Sequence, residues 1–331
     1  MRMKLFAAVL LLRLAAALAQ DREQWKDPSP HRVQLVDVEE GVRLETLDWG
    51  GTGRPLVLLA GSGLSGHVFD ELSPKLTAFC HVYAITRRGY GNSSQPQGGY
   101  DDQRLADDVL RVLDALEIRV PVLAGHSMAG GEMTTLASEH PDRVSGLVYL
   151  EALGDPRDFP ASDPAYMALV RALPPPKPDP PRPTGAVSFS DYRAWQLKAE
   201  RFALPEAELR SVYETNPDGT MGRHKTPSRV HRAVGDGQKK RNYAQIRVPV
   251  LALIDYPRPR AEEPPPDNEK DRVAVAAYLE ATRQYVDRWI GNLLRGVAGA
   301  RIVDLQGGHY LFLTREKDVI QEIRTFIAGL S

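Results

Sequence analysis

The chain of 331 residues contains a single cysteine, Cys80, so no intramolecular disulfide can form in any redox compartment. Its 42 basic and 43 acidic residues include no basic run long enough to form a patch, which argues against nucleic acid as a partner. No metal-ligand spacing and no phosphate-binding loop is present, so we expect neither a metal nor a cofactor. Cys80 is expected to pack in the core.

Long hydrophobic runs are also missing, apart from one at the start of the chain. Residues 1–19 have a basic beginning, an apolar centre from Leu5 to Leu18 that only Arg13 interrupts, and Ala17-Leu18-Ala19 before Gln20, the pattern of a secretory signal peptide. An apolar run of about 14 residues is short for a membrane span of roughly 20. We therefore expect export to the periplasm or beyond, with cleavage, no stable membrane insertion and a mildly acidic mature protein.

The rest of the chain alternates strand patterns with helical ones. An N-terminal hairpin is expected at 31–37 and 42–48, further strands at 55–60, 81–86, 120–124, 144–150, 248–254 and 300–305, and helices at 67–79, 101–116, 128–140 and 271–294. Strands that alternate with helices of this length predict an α/β fold with a mostly parallel sheet covered on both faces.

This alternation stops at Gly154, where the sequence becomes proline-rich and then helical until about Arg247. A flexible linker is one interpretation of the prolines, but Tyr192, Trp195 and Phe202 supply large apolar groups that favour a packed unit. We predict a signal peptide at 1–19, a core at 20–153, a mainly helical cap at 154–247 and the rest of the core at 248–331.

The most informative segment is the apolar run that leads into Ser127. Gly125 and Ala129 lie two positions before and after this serine, between a buried-strand pattern and a helical one. Small residues at these positions are typical of a nucleophile elbow, a strand-to-helix turn too tight for larger side chains. Such a turn would lift the Ser127 hydroxyl clear of the sheet.

A histidine that could serve this serine follows the last predicted strand. His309 stands behind Gly307 and Gly308 and ahead of a final helix, whereas the other seven histidines have simpler structural interpretations. In an open parallel sheet, ligands and chemistry gather at the carboxyl ends of the strands. Ser127 and His309 are therefore expected to face the same crevice.

The order serine, acid, histidine, together with the sheet pattern, resembles the α/β-hydrolase superfamily over nearly the whole mature chain. The segment 58–63 corresponds to the family's strand followed by His-Gly, and 88–93 matches its R-G-x-G-x-S turn. Two departures are visible, since Ala60 replaces the usual histidine and Thr86 the usual aspartate. Neither group makes or breaks bonds in the family, so we expect altered loop support and an intact mechanism.

The resemblance leaves the acid open. Asp255 comes early for the family's usual position, which Arg258 occupies, whereas Glu151 lies at a second family position, resembling haloalkane dehalogenases and related hydrolases that carry a glutamate there. A charge at the end of a buried strand is costly unless it is paired, and a histidine N–H would pair with Glu151. We favour Glu151, with Asp255 as the alternative and acids such as Asp267 remaining.

What the resemblance implies is a serine hydrolase without a cofactor. His309 would be the base for Ser127, and the backbone N–H groups of Met128 and Ser62 would hold the oxyanion. A serine nucleophile argues against the haloalkane dehalogenase and epoxide hydrolase reactions, and export favours a small carboxylic ester as substrate. The alternatives are a peptidase or amidase, a carbon–carbon hydrolase, and a non-catalytic ligand-binding protein. Aromatic residues of the cap could line an acyl or aryl pocket, namely Tyr192, Trp195 and Phe202.

Overall fold

Ten strands form two sheets in the computed structural model, which describes residues 25–155, 158, 160–175, 180–259 and 265–330. The strands are β1 (Arg32–Glu39), β2 (Val42–Gly50), β3 (Arg54–Leu59), β4 (Cys80–Ile85), β5 (Val122–His126), β6 (Gly146–Leu150), β7 (Tyr213–Thr215), β8 (Met221–His224), β9 (Val250–Ile254) and β10 (Arg301–Asp304). The predicted signal peptide lies outside the described residues. Residues 25–30 belong to a separate N-terminal unit, and their described part contains no helix or strand.

The large sheet has the order β1-β2-β4-β3-β5-β6-β9-β10. The strands from β4 to β10 in that order are parallel, while β1 and β2 form an antiparallel hairpin whose second strand pairs with β4. Gly41 closes the hairpin with a φ of +73°, a conformation that glycine adopts without strain. The predicted α/β fold with a mostly parallel sheet is confirmed.

Ten α-helices accompany the strands within the described residues. They are α1 (Ser73–Leu76), α2 (Asp102–Ala115), α3 (Ala129–Glu139), α4 (Pro164–Ala172), α5 (Phe189–Ala199), α6 (Glu206–Val212), α7 (Ser228–Asp236), α8 (Glu269–Gly296), α9 (Leu311–Thr314) and α10 (Glu316–Ala328). Side chains cap two of the longer ones, since Asp101 accepts from the first N–H groups of α2 and Asn268 does so for α8. Among the described residues, no helix combines the length and apolar content that a membrane span requires.

The prediction of one helix over 67–79 is wrong. The structure has a single 3₁₀ turn at Gly66–Phe69 and then the four-residue α1, whose first turn contains Pro74. Proline has no N–H to donate, and its ring clashes with the carbonyl four residues earlier. A continuous helix through this point would therefore be broken.

The core lies on both faces of the large sheet. Alternate residues of β3 point to opposite faces, so Val57 and Leu59 pack in one buried cluster and Leu56 and Leu58 in the other. Cys80 is fully buried in the second cluster, as expected, and burial raises the pKa of its thiol to about 12. Both faces of the central strands are therefore covered by packed side chains.

The segment predicted as a cap contains α4 to α7 and also a two-stranded sheet of β7 and β8, which was not expected from the sequence. Strands of three and four residues are too short to show a hydrophobic period. Tyr192 is buried beside Phe189 and Leu209, and Trp195 packs against the same cluster. Two of the three cap aromatic residues singled out in the sequence thus pack within the segment itself.

Candidate active site

Ser127 lies on a tight turn between β5 and α3. Its φ is +56°, a left-handed conformation that is rare for residues with a side chain. A β-carbon at Gly125 would lie 2.7 Å from Met133 Sδ and 3.0 Å from Ala129 Cβ, so the turn has room only for glycine there. This strand-turn-helix arrangement is the geometry of a nucleophile elbow.

His309 reaches this serine from the loop after β10. Its Nε2 lies 3.0 Å from Ser127 Oγ, within hydrogen-bond distance, and half of its side chain is exposed. A base at this distance can take the hydroxyl proton directly. The exposure means that water and a small substrate can approach the pair.

Glu151 stands on the other side of the imidazole. It follows β6 directly, and its Oε2 lies 3.8 Å from His309 Nδ1, an ion-pair distance that is longer than a hydrogen bond. Its other oxygen, Oε1, accepts a hydrogen bond of 2.5 Å from the backbone N–H of Asp255. The carboxylate is thereby fixed from behind and faces the histidine.

The two other acids suggested by the sequence are arranged differently. Asp255 approaches the site through its backbone N–H, and Asp267 is exposed in the loop before α8. Among the described residues, Glu151 alone brings a carboxylate oxygen within 4.0 Å of a His309 ring nitrogen. The side chain of Arg258, at the family's usual acid position, pairs with Asp304. The structure thus brings Ser127, His309 and Glu151 together.

His126 connects the serine turn to the histidine loop. Its Nε2 lies 2.8 Å from the carbonyl oxygen of His309. Because a carbonyl only accepts, Nε2 must carry the proton, which leaves Nδ1 without one. Burial, helped by the neighbouring His309 ring, lowers the pKa of His126 to about 3. A neutral imidazole of fixed tautomer therefore holds the backbone of His309.

The two candidate oxyanion donors flank the serine. Met128 directly precedes α3, and the first N–H groups of a helix have no intrahelical partner. Ser62 follows Gly61 in the loop after β3, and a β-carbon at Gly61 would lie 3.2 Å from Ser127 Cβ. The loop therefore packs directly against the nucleophile turn, with space only for glycine at the contact.

An aromatic pair borders the site. The ring of Phe202, from the segment predicted as the cap, stacks on Tyr310 with a centroid distance of 4.6 Å, and Tyr310 is the residue after His309. Phe202 is therefore the one of the three singled-out cap aromatics that contacts the histidine loop.

Thr86, where the family resemblance leads one to expect an aspartate, supports the neighbouring loop: its Oγ1 accepts from the Gly66 N–H at 2.9 Å and donates to Glu45 at 2.9 Å. Sequence reasoning missed a second support. Arg87 and Glu132 form a buried ion pair next to the loop after β3. An arginine directly after a buried strand was the available signal, because such a charge requires a partner.

Comparisons with known proteins agree with the fold. Residues 56–322 match the model of the alpha/beta hydrolase family. The non-heme chloroperoxidase CPO-A1 of Kitasatospora aureofaciens is 36% identical over 121 residues, which are 36% of this chain and 44% of that protein. A bifunctional esterase/perhydrolase of Acinetobacter calcoaceticus is 33% identical over 121 residues, with the same shares. The chain thus spans less than half the length of these curated relatives.

Among solved structures, that of E-2-(acetamidomethylene)succinate hydrolase superposes with a TM-score of 0.64 at 19% identity, covering 90% of this chain and 100% of that one. This likeness is one of fold. Since the family model also matches most of the chain, the protein belongs to the alpha/beta hydrolase family.

Proposed function

We propose that this hydrolase is an exported serine esterase that cleaves small carboxylic esters through an acyl-enzyme. The observation that carries the proposal is the 3.0 Å distance between Ser127 Oγ and His309 Nε2, with Glu151 behind the ring. A relative named as an esterase/perhydrolase supports the ester as substrate. The signal-peptide pattern of residues 1–19 supports export.

The distances support the following reaction. His309 Nε2 takes the proton of Ser127 as its oxygen attacks the acyl carbon, while Nδ1–H faces Glu151, which stabilises the imidazolium. The Met128 and Ser62 N–H groups hold the oxyanion. Each such donor stabilises the transition state by about 3 kcal/mol, the cost of removing one. His309 then returns the proton to the departing alcohol, and water activated by the same ring releases the acid.

The surroundings of the triad favour a small substrate with an apolar part. The imidazole is half exposed, so the reacting atoms are accessible from solvent. Phe202 and Tyr310 present a stacked aromatic pair beside it, which suits a short acyl or aryl group. Neither feature calls for a charged recognition group on the substrate.

The test is hydrolysis of p-nitrophenyl acetate and butyrate by the protein and three variants, purified after secretion from a bacterial host. We expect Ser127→Ala and Glu151→Gln to lose turnover and Asp255→Asn to keep it, because the Asp255 contact comes from its backbone. If turnover is lost in Asp255→Asn and kept in Glu151→Gln, the acid that assists His309 is Asp255 and not Glu151. Turnover that survives in Ser127→Ala would refute the esterase proposal, and an N-terminus other than Gln20 would refute the cleavage site.

A second candidate activity is perhydrolysis, the transfer of the acyl group to hydrogen peroxide, which the relatives named as a perhydrolase and a chloroperoxidase favour. Hydrogen peroxide could replace water in attacking the acyl-enzyme, giving a peracid and free Ser127. Peracid is detected by bromide oxidation in an acetate and peroxide mixture. Peracid formation that depends on Ser127 supports this reaction, whereas ester cleavage without peracid leaves hydrolysis as the sole activity.

A further inference from the structure

A buried arginine holds the backbone that leads to Ser62. Arg87 follows β4, and only 6% of its surface is exposed. Its Nη2 donates to the carbonyl of Ala60 at 3.0 Å, and its Nη1 donates to the carbonyl of Gly61 at 3.4 Å. The Gly61 carbonyl shares a peptide with the Ser62 N–H, and the Ala60 carbonyl belongs to the peptide before it.

The same guanidinium is bound to the helix that follows the nucleophile. Glu132 accepts from Arg87 Nε at 3.0 Å and from Nη2 at 2.7 Å, and the carboxylate is 4% exposed. Although burial opposes the charge on Arg87, Glu132 keeps the pKa of the guanidinium above its usual value. Since Glu132 lies within the first turns of α3, one planar cation ties this helix to the loop after β3.

Because the peptide bond is planar, the contact between Arg87 and the Gly61 carbonyl also fixes the direction of the Ser62 N–H. A trans peptide is planar, so the carbonyl of Gly61 and the N–H of Ser62 point in opposite directions. The Gly61 oxygen receives both Arg87 Nη1 and the Leu64 N–H, the latter at 3.4 Å. With the oxygen fixed by two donors, the Ser62 N–H is fixed on the opposite side of the peptide.

We propose that Arg87, held by Glu132, is a positioning residue that orients the Ser62 N–H toward the oxyanion formed on Ser127. Gly61 packs against Ser127, so a rotation of this peptide would turn a carbonyl toward the developing negative charge. The effect is thus on the transition state rather than on substrate binding. The inference rests on the proposed serine mechanism.

The next residue supplies a matched control. Arg88 is 1% exposed and donates through Nε and Nη2 to Asp108 at 2.5 and 2.7 Å, a buried pair of the same kind. Its carbonyl partner is Gly98, outside the loop after β3. Replacing Arg88 therefore measures the structural cost of losing a buried arginine without disturbing the Ser62 peptide.

The experiment compares Arg87→Lys with Arg88→Lys in ester hydrolysis, each corrected for the folded fraction by active-site titration. A lysine keeps the charge but cannot reach the carboxylate and two carbonyls together. We expect Arg87→Lys to lower kcat by about 10 to 100-fold, less than complete removal of an oxyanion donor, with KM changed less than about 3-fold. A trifluoromethyl ketone, which forms an oxyanion on the serine, should bind more weakly by a similar factor.

Arg88→Lys should lower the melting temperature while its kcat stays within about 2-fold, as expected for a change that affects stability alone. Equal kcat in the two folded variants, or a rise in KM alone in Arg87→Lys, overturns the inference. If Arg87→Lys does not fold, Glu132→Gln carries the same test, because a neutral amide of similar shape weakens the hold on the guanidinium. Ser127→Ala distinguishes a failure of the Arg87 inference from a failure of the proposed serine mechanism. Turnover that survives in Ser127→Ala overturns the serine mechanism itself.

Discussion

The contact between Glu208 and Ser65 gives a pH dependence that can be worked out from the structure. Glu208 is fully buried in α6, where it accepts from the Ser65 N–H at 3.0 Å and from the Ser65 hydroxyl at 2.5 Å. Burial raises the pKa of its carboxyl to about 7, against 4.5 for a free glutamate, and the bonds from Ser65 only partly oppose this. His67 and Asp70 act on the carboxyl with opposite signs.

The sign and size of the effect follow from linkage. At 1.36 kcal/mol per pKa unit, the difference between 4.5 and about 7 corresponds to about 3 kcal/mol of folding free energy. Because the folded pKa is the higher one, the group's contribution is fully present below pH 4.5. It is lost as the pH rises to about 7, where the buried carboxyl ionises.

We therefore expect Glu208→Gln, which has no proton to lose, to gain about 3 kcal/mol relative to the unmodified protein between pH 4.5 and pH 8. The measurement is the free energy of unfolding in urea at half-unit steps of pH. Glu206→Gln is the matched control on the same helix, where a partly exposed pair with Arg210 contributes at most about 1 kcal/mol. A difference between wild type and Glu208→Gln that stays flat with pH would refute the reasoning.

Three further predictions concern the site and the core. The His126 ring, whose pKa burial lowers to about 3, should keep the Nε2–H tautomer in ¹⁵N NMR spectra at pH 5, and a protonated signal there would contradict it. Gly61→Ala should reduce ester turnover at least about 10-fold in a protein with an unchanged circular dichroism spectrum, because the added carbon would lie 2.7 Å from His126 Nδ1; wild-type turnover would contradict the tight contact. Leu123→Ala, at a fully buried position, should cost about 2 to 5 kcal/mol in urea unfolding. Leu197→Ala, where the side chain is 60% exposed, should cost less than about 0.5 kcal/mol, and equal costs would contradict the assigned core.

The centre of the sheet was predictable because its strands β5, β6 and β9 are buried on both faces. Residues 122–125 and 250–254 are continuous runs without a polar side chain, and all of them are buried. Prediction failed where local signals were weak or misread. The hairpin of β7 and β8 is too short to show a period, and Pro74 interrupts an apolar pattern that otherwise indicates a helix over 67–79.

Some residues of the proposed triad and its surroundings could likewise be predicted from the sequence, and others could not. Ser127 and His309 follow strands and carry local glycine patterns, so their meeting could be expected from the sheet alone. The bond from His126 to the His309 carbonyl joins positions 183 residues apart, and the pair of Arg87 and Glu132 joins positions 45 apart. No local pattern specifies such contacts, because they depend on how the completed sheet brings loops together.

The same backbone arrangement positions Ser127 and Glu151, two residues of the proposed triad, and part of it recurs ahead of His309. The N–H of Ser127 bonds to Leu150 and that of Glu151 to Leu253, so each residue extends the ladder one step past its strand. Both then turn out of the sheet with φ values of +56° and +50°. Directly after β10, the N–H of Leu305 bonds to the Ile254 carbonyl, and the next residue, Gln306, has a φ of +51° and begins the turn to His309.

Each positive φ at a residue with a side chain costs on the order of 1 to 3 kcal/mol, so the surrounding structure must impose it. Here the neighbouring strand imposes it through a ladder hydrogen bond, and the neighbours are β6 and β9, which lie consecutively in the sheet. Adjacent strands are about 4.8 Å apart, a spacing that side chains can bridge. The carboxyl edge of the sheet therefore sets the separation of the three side chains, whereas residues 154–247 contribute the surroundings, through Phe202 beside Tyr310 and Glu208 on Ser65. Substitutions in residues 154–247 should accordingly change KM and substrate preference more than they change the hydrogen bond between His309 and Ser127.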